Sequence, residues 1–86
     1  MKARVSITYK RGILDPQGQA VLHALGSLGY TGVKEVRVGK LIELDLATHD
    51  RPGAEAEVKA MCERLLANTI IEDYRFELID PSTSSG

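Results

Sequence analysis

The chain has 86 residues and a formal net charge of −1, with 11 Lys and Arg against 12 Asp and Glu. A chain this short forms one domain that buries only about 60% of its unfolded-chain surface, so its core is marginal and oligomerisation is favoured. Nucleic-acid binding needs a concentrated basic face or aromatic stacking platforms, and the balanced charge and 5% aromatic content argue against both.

Cysteine usage and the N-terminal pattern indicate a cellular compartment. The single cysteine, Cys62, cannot form an internal disulfide, which fits a reducing environment. The first ten residues alternate instead of forming the apolar block of a signal peptide, and no apolar run approaches the roughly 18 residues of a membrane span. We therefore expect a cytoplasmic protein that has no membrane contact.

The first 30 residues predict a strand followed by a helix. Residues 2–10 alternate apolar and polar side chains, which predicts a strand with one buried face. In the next stretch, "GILDPQGQAV", Asp15 is a suitable N-cap, and Pro16 takes the first helical position, where its missing N–H costs nothing. Gly29 is a natural C-terminal stop. Apolar residues recur between them at helical spacing: Val21, Leu22, Leu25 and Leu28.

Two residues of this helix start are not explained by helix formation. Gly18 lies in the first turn, where glycine costs roughly 0.5–1 kcal/mol relative to Ala. Gln17 is not required for capping. Both residues therefore need another reason, such as a contact with a partner.

The middle of the chain predicts either one long strand or two short ones. Between residues 33 and 47, a single strand bent at Gly39 keeps the apolar side chains on one face. A hairpin with a three-residue loop at 39–41 does the same by pairing Val36 with Leu44. The long bent strand is preferred, and its overhang would invite pairing with a second chain. The even positions carry the pattern: Val36, Val38, Ile42, Leu44 and Leu46.

The second half predicts a helix and a last strand. The helix starts at residues 50–52 and ends near Asn68, and "IIEDYRFELI" then alternates as a strand. The tail at 81–86, "PSTSSG", has nothing to bury, so we expect it to be disordered; one interpretation of it is a remnant of cloning. This leaves residues 1–80 as a single domain. The helix has an apolar stripe at steps of four, three, one and three: Ala54, Val58, Met61, Cys62 and Leu65.

The order of the elements defines the predicted fold. It is β-α-β followed by α-β, with the middle strand long or split. This order predicts an α+β two-layer sandwich related to ferredoxin-like folds, with two helices on one face of an antiparallel sheet.

The sequence offers no clear catalytic set. His23 and His49 lack the partner patterns of a general base or a metal site. Cys62 lies on an apolar stripe, as a small buried hydrophobic residue does. Glu43 and Asp45 share a polar strand face, which is typical of a solvated or interface strand. We therefore predict neither a catalytic residue nor a metal site in this chain.

Two groups of residues remain as a candidate site. One is the mid-strand group of Arg37, Gly39 and Lys40, and the other is the helix start at 15–18. Basic side chains and exposed helical N–H groups can meet an anion or the acidic groups of a partner. A solvated strand kink would explain the same residues, so residue types alone leave both interpretations open.

Read in order, four segments resemble one family. They are "LDPQGQAV", "LGSLGY", "VKEVRVGKLIEL" and "MCERLLANTIIEDYRFEL", and together they resemble PurS, the small subunit of phosphoribosylformylglycinamidine synthase, from Val5 to about Leu78. Each segment is weak alone, whereas the combination in this order is specific. The family usually has Pro after the Asn of "LAN", and the Thr69 of this chain alters the stiffness of the turn before the last strand.

The resemblance implies a non-catalytic subunit of a purine-biosynthesis ligase. That enzyme converts formylglycinamide ribonucleotide, ATP and glutamine to formylglycinamidine ribonucleotide, ADP, phosphate and glutamate. A glutaminase subunit releases ammonia and a large synthase subunit uses it with ATP and Mg, while the small subunit, as a dimer or a tetramer, bridges the two and supports ammonia transfer. This chain would hold no cofactor itself. Its expected contact surface with the large subunit is Asp15, Pro16, Gln17, Gly18, Arg37, Gly39 and Lys40.

Two other function classes stay open from the residues. A small-metabolite-binding regulatory module of related fold would bind its ligand at a dimer interface and show a ligand-dependent melting shift. An acylphosphatase-type hydrolase would need an Arg in a phosphate-binding loop after the first strand. Arg11 lies near that loop, but "YKRGILDPQG" lacks the expected glycine-rich cradle.

Overall fold

The structure, a computed structural model, describes residues 1–80. Three antiparallel strands form a sheet in the order β2-β1-β3. The predicted α+β class, with an antiparallel sheet and two helices, is confirmed, whereas the expected disorder of residues 81–86 lies outside the described part. The elements in chain order are β1 (Lys2–Tyr9), α1 (Pro16–Ser27), β2 (Lys40–Asp45), α2 (Arg51–Met61) with a π-helical turn (Cys62–Leu66), and β3 (Glu72–Ile79).

The core lies between α2 and one face of the sheet. The central strand β1 contributes Val5 and Ile7, and Val58 of α2 packs against them; all three are 0–1% exposed. Val5 lies opposite Ile42 on β2 and Phe76 on β3, so the apolar residues of all three strands share this face. Burying a side chain of this size stabilises the fold by about 1.5–3 kcal/mol. The alternation in the sequence therefore predicts the buried sheet face correctly.

Helix α1 departs from the prediction that both helices cover the sheet. Within residues 1–80 it contributes no side chain to the core, and Gly18 is its one buried residue. Its apolar stripe is only partly covered: Leu22 and Leu25 are half-buried, whereas Val21 is 42% exposed and Leu28, the C-cap residue, is 74% exposed. The radius of gyration is 16.4 Å, against about 12 Å for a compact chain of this length. We call residues 15–39 the arm, and residues 1–10 with 40–80 the body.

The middle strand is shorter than predicted. Its ladder begins with Lys40 opposite Ile7, and residues 33–39 lie outside any strand. A strand needs a neighbour along its length, and β1 ends at Tyr9, so residues 33–37 have no part of β1 opposite them. The alternative hairpin is also wrong, because Leu44 pairs with β1 and not with Val36. The segment before β2 therefore has no strand partner within the described chain.

The end of the second helix changes which leucine faces the core. The Ala67 amide donates to the Cys62 carbonyl at 2.9 Å, five residues back, which closes a π-helical turn. This wider turn shifts the helical phase. Leu66 consequently packs against the core, while Leu65, predicted on the buried stripe, is 82% exposed.

Candidate interaction site

The structure brings the two predicted groups of site residues together where the arm joins the body. The first turn of α1 lies against residues 36–38, and Gly39 and Lys40 follow directly at the start of β2. Gln17, Gly39 and Lys40 line a shared depression of about 50 Å³ with residues from β1 and β3. The seven residues selected from the sequence therefore belong to one region, which we call the junction.

Asp15 links α1 to the segment that follows it. One carboxylate oxygen, Oδ1, accepts from the Gly18 amide at 2.9 Å, which confirms the predicted N-cap. The other, Oδ2, accepts from the Val38 amide at 2.9 Å. These hydrogen bonds stabilise the ionised form, first that from Gly18 and then that from Val38, and so lower the pKa of Asp15 below its ordinary value. The Asp15 side chain thus caps α1 and also holds this helix to the segment that contains Val38.

Two glycines permit close approach of the backbone at the junction. A Cβ at Gly18 would collide with the Val36 carbonyl oxygen and lie 2.7 Å from the Asp15 carboxylate. A Cβ at Gly39 would collide with the Ile7 carbonyl oxygen. No side chain fits at either position, so glycine is required at both. This close approach explains why Gly18 occupies the first turn of α1, where glycine is otherwise unfavourable.

Arg37 fastens the arm to the end of β1. Its Nη2 donates to the Tyr9 carbonyl oxygen at 2.6 Å, and its Nε lies 3.7 Å from the Glu35 carboxylate. The guanidinium is therefore already engaged within the chain, although the side chain keeps about a third of its exposure. Its position favours a role in holding the arm over a free anion-binding role.

Lys40 remains accessible beside a buried carboxylate. Its Nζ lies 3.7 Å from Glu72 Oε2, and the side chain is 63% exposed. Glu72 is buried and accepts through Oε1 from the Asn68 amide at 2.7 Å. Pro16 and Gln17 are also exposed. A partner can therefore reach Pro16, Gln17 and Lys40; Arg37 and Gly39 are exposed as well, whereas Asp15 is half-buried and Gly18 is buried.

Sequence analysis did not identify Glu72 as part of this region. The signal was present, since residues 72, 74, 76 and 78 share one strand face. The other three positions of that face are the half-buried Tyr74, Phe76 and Leu78. An acidic residue at an inward position needs a buried partner, which here is a backbone amide with Lys40 beside it.

The remaining reactive side chains lie elsewhere. Cys62 is fully buried, and burial, followed by the charge of Glu63, raises the pKa of its thiol. The Tyr74 hydroxyl donates to Glu63 at 2.7 Å, and this hydrogen bond raises the pKa of Tyr74 to about 12. His23 and His49 are exposed. Among residues 1–80, no three His, Cys, Asp or Glu side chains are grouped to hold a metal ion, and no helix has the length and apolarity to cross a bilayer.

Comparison with known proteins identifies the family. The family model of PurS, described as phosphoribosylformylglycinamidine (FGAM) synthase, matches residues 2–80. The chain belongs to the PurS family. It is 52% identical over 77 residues to phosphoribosylformylglycinamidine synthase subunit PurS of Bacillus subtilis (strain 168), covering 90% of each chain. It is 48% identical over 75 residues to the PurS subunit of Synechocystis sp., covering 87% of this chain and 75% of the relative.

Solved structures of the family have the same fold. A crystal structure of B. subtilis PurS matches with a TM-score of 0.81 at 51% identity, covering 92% of this chain and 98% of the other. A chain of the PurLQS structure from Thermotoga maritima matches with a TM-score of 0.82 at 29% identity, covering 91% and 95%. The predicted family, the ferredoxin-like-related fold and the prediction that the chain is a subunit of this synthase are confirmed.

Proposed function

We propose that this chain is the bridging subunit of its synthase. It is a single domain of residues 1–80 that holds a large synthase subunit and a glutaminase subunit together in the cytoplasm, so that ammonia released by one reaches the other. ATP and Mg act in the large subunit, and this chain supplies surfaces and no reacting group. The observation that carries the proposal is the arm, a capped helix whose apolar stripe is only partly covered within residues 1–80.

The arm supports assembly with a second copy. Val21 of α1 and its C-cap residue Leu28 are exposed, and the sheet beside α2 leaves Ile42 and Leu44 half-buried. Unpartnered apolar surface of this kind marks protein interfaces. An arm from a second copy, laid over this part of the sheet, would cover both surfaces and give a small domain the extra burial it needs. The bridging unit is therefore a homodimer.

The junction is the contact surface for the large subunit. The exposed residues Pro16, Gln17 and Lys40 touch the partner, and the ammonium of Lys40 meets an acidic group on it. The other four residues set the shape of this surface through their contacts within the chain: Asp15 and Arg37 by hydrogen bonds, Gly18 and Gly39 by close backbone approach.

Charge reversal tests the junction. Lys40→Glu, and to a lesser extent Arg37→Glu, should lower the yield of complex when this chain is mixed with the large and glutaminase subunits and separated by size exclusion. The dimer should stay folded, because the Lys40 side chain is largely exposed. Lys59→Glu, on the exposed side of α2, is the matched control and should leave the yield unchanged. An undiminished yield with Lys40→Glu would exclude the junction as the contact surface.

A further inference from the structure

Two apolar side chains outside the arm and the junction are unusually exposed. Leu65 and Ile70 are each 82% exposed, the highest values among the large hydrophobic residues of the described chain. Both lie in the connection between α2 and β3. Scattered exposed hydrophobic residues are ordinary on protein surfaces, so exposure alone assigns them no role.

The backbone beneath Ile70 is fixed by hydrogen bonds. The Asn68 carbonyl accepts from the amides of Ile71 at 3.0 Å and Glu72 at 2.7 Å. The Asn68 side chain accepts from the Ile70 amide at 3.2 Å, and the Asn68 amide itself donates to the buried Glu72 carboxylate. The turn at 68–71 therefore presents Ile70 on an ordered backbone, which loses little conformational entropy when a partner binds.

This turn is continuous with the junction. The Lys10 amide donates to the Ile71 carbonyl at 2.9 Å, which fastens the turn to the end of β1. Glu72, which closes the turn, lies 3.7 Å from Lys40 Nζ. The Glu72 carboxylate therefore closes the turn that carries Ile70 through one oxygen and lies beside the accessible Lys40 ammonium through the other. An apolar anchor beside a polar rim is the usual anatomy of an energetically important interface patch.

We infer that Ile70 is the apolar anchor of the junction and inserts into an apolar pocket of the large synthase subunit, beside the acidic group that meets Lys40. The inference rests on the proposed function and extends the contact surface beyond the seven residues selected from the sequence. Leu65, on the π-helical turn, lies at the margin of this surface and contributes less.

The experiment measures the affinity of the purified full chain for the purified large subunit. Ile70→Ser should raise the Kd by at least about tenfold, the range of an anchor residue. Leu41→Ser is the matched control, because Leu41 is 64% exposed on the opposite face of the sheet, and it should change the Kd less than about twofold. Ile70→Met, which keeps an apolar side chain, should restore most of the affinity. Sedimentation and thermal unfolding should show an unchanged dimer, since Ile70 contributes little to the core.

Each other outcome decides against the inference. An equal Kd for Ile70→Ser and the unaltered chain would show that Ile70 is a solvated surface residue. A dimer that dissociates in Ile70→Ser would assign the side chain to the contact between copies. If the unaltered chain fails to bind the large subunit, the proposed function fails first and this inference fails with it.

Discussion

The body and the arm use similar residues but are stabilised by different contacts. In the body, Val58 of α2 is fully buried against the sheet, whereas Val21 of α1 in the arm is 42% exposed. The arm is instead held at its base, by the two hydrogen bonds of Asp15, by Arg37 and by backbone contact at Gly18. The body therefore has the contacts of an independently stable unit, while the arm is an ordered element whose apolar face is available to another chain.

Truncating one valine to alanine in each helix should give the largest difference between the body and the arm. Val58→Ala leaves a cavity in the core and should lower the free energy of unfolding by about 2–3 kcal/mol. Val21→Ala should lower it by less than about 1 kcal/mol at a protein concentration low enough for the chain to be monomeric, and should raise the dimer dissociation constant. Urea denaturation and sedimentation equilibrium separate the two effects. Equal losses on unfolding would show that α1 belongs to the folded core.

The same substitution at two glycines of α1 should have opposite effects. Gly18→Ala places a methyl group against the Val36 carbonyl oxygen and should lower the free energy of unfolding by about 1–3 kcal/mol. Gly26→Ala meets no atom within 4 Å, and should raise it by about 0.5–1 kcal/mol because the unfolded chain loses freedom. Thermal unfolding at one protein concentration measures both. Changes of the same sign would show that the arm is not held against residues 36–38.

As the pH falls, the arm should lose the contact made by Asp15 while the body stays folded. The pKa of Asp15 is lower in the folded chain than its ordinary value of 3.8. Its contribution is therefore complete above that ordinary value and is lost as the pH falls through the lower folded pKa. Hydrogen exchange at the Val38 amide, corrected for its intrinsic pH dependence, should accelerate across this window, while exchange at Val58 in the body stays constant. In Asp15→Asn this pH dependence should disappear; if it persists, another group controls the release.

The smallest expected effect concerns the hydrogen bond of Tyr74, which a titration of its hydroxyl tests. Its hydroxyl donates to Glu63, and its pKa is raised to about 12 from an ordinary value of 10.0. The contribution of this bond is present below 10 and is lost as the pH rises through about 12. Absorbance titration should show phenolate formation at the higher value in the unaltered chain and at a lower pH in Glu63→Gln. Identical titration of the two proteins would place the hydroxyl elsewhere.

The elements of the body are predictable from local pattern. The period-two alternation of residues 2–10 predicts β1 to within a residue, because half-buried strands carry that pattern wherever they pair. The N-cap at Asp15 is equally local, since capping needs only a carboxylate three residues before a free amide.

The placement of the arm depends on contacts that the pattern does not encode. An amphipathic stripe predicts that α1 is covered, and does not tell whether its own sheet or another chain covers it. The alternation from Val36 to Leu46 crosses Gly39 without a change of phase, yet the ladder starts only at Lys40, and β1 ends at Tyr9, before it could pair with residues 33–37. The exposure of Leu65 follows from one extra residue in a π-helical turn, which a regular helical period cannot show.

Part of the candidate site could be predicted from the sequence through its two glycines. Gly18 and Gly39 have no local explanation, and glycine without one often marks close backbone approach. The structure shows that approach at both positions. The sequence gives no distance between the two segments, so the second hydrogen bond of Asp15, from Val38, and the place of Glu72 beside Lys40 appear only in the fold.

The most direct test of the bridging function compares two sources of nitrogen. Synthase activity of the large and glutaminase subunits is measured with glutamine and, separately, with added ammonia, each with and without this chain. We predict that glutamine-dependent activity needs the chain, whereas ammonia-dependent activity of the large subunit does not, because free ammonia needs no bridge. If the chain changes neither activity, or if ammonia-dependent synthesis requires it equally, the bridging function is contradicted.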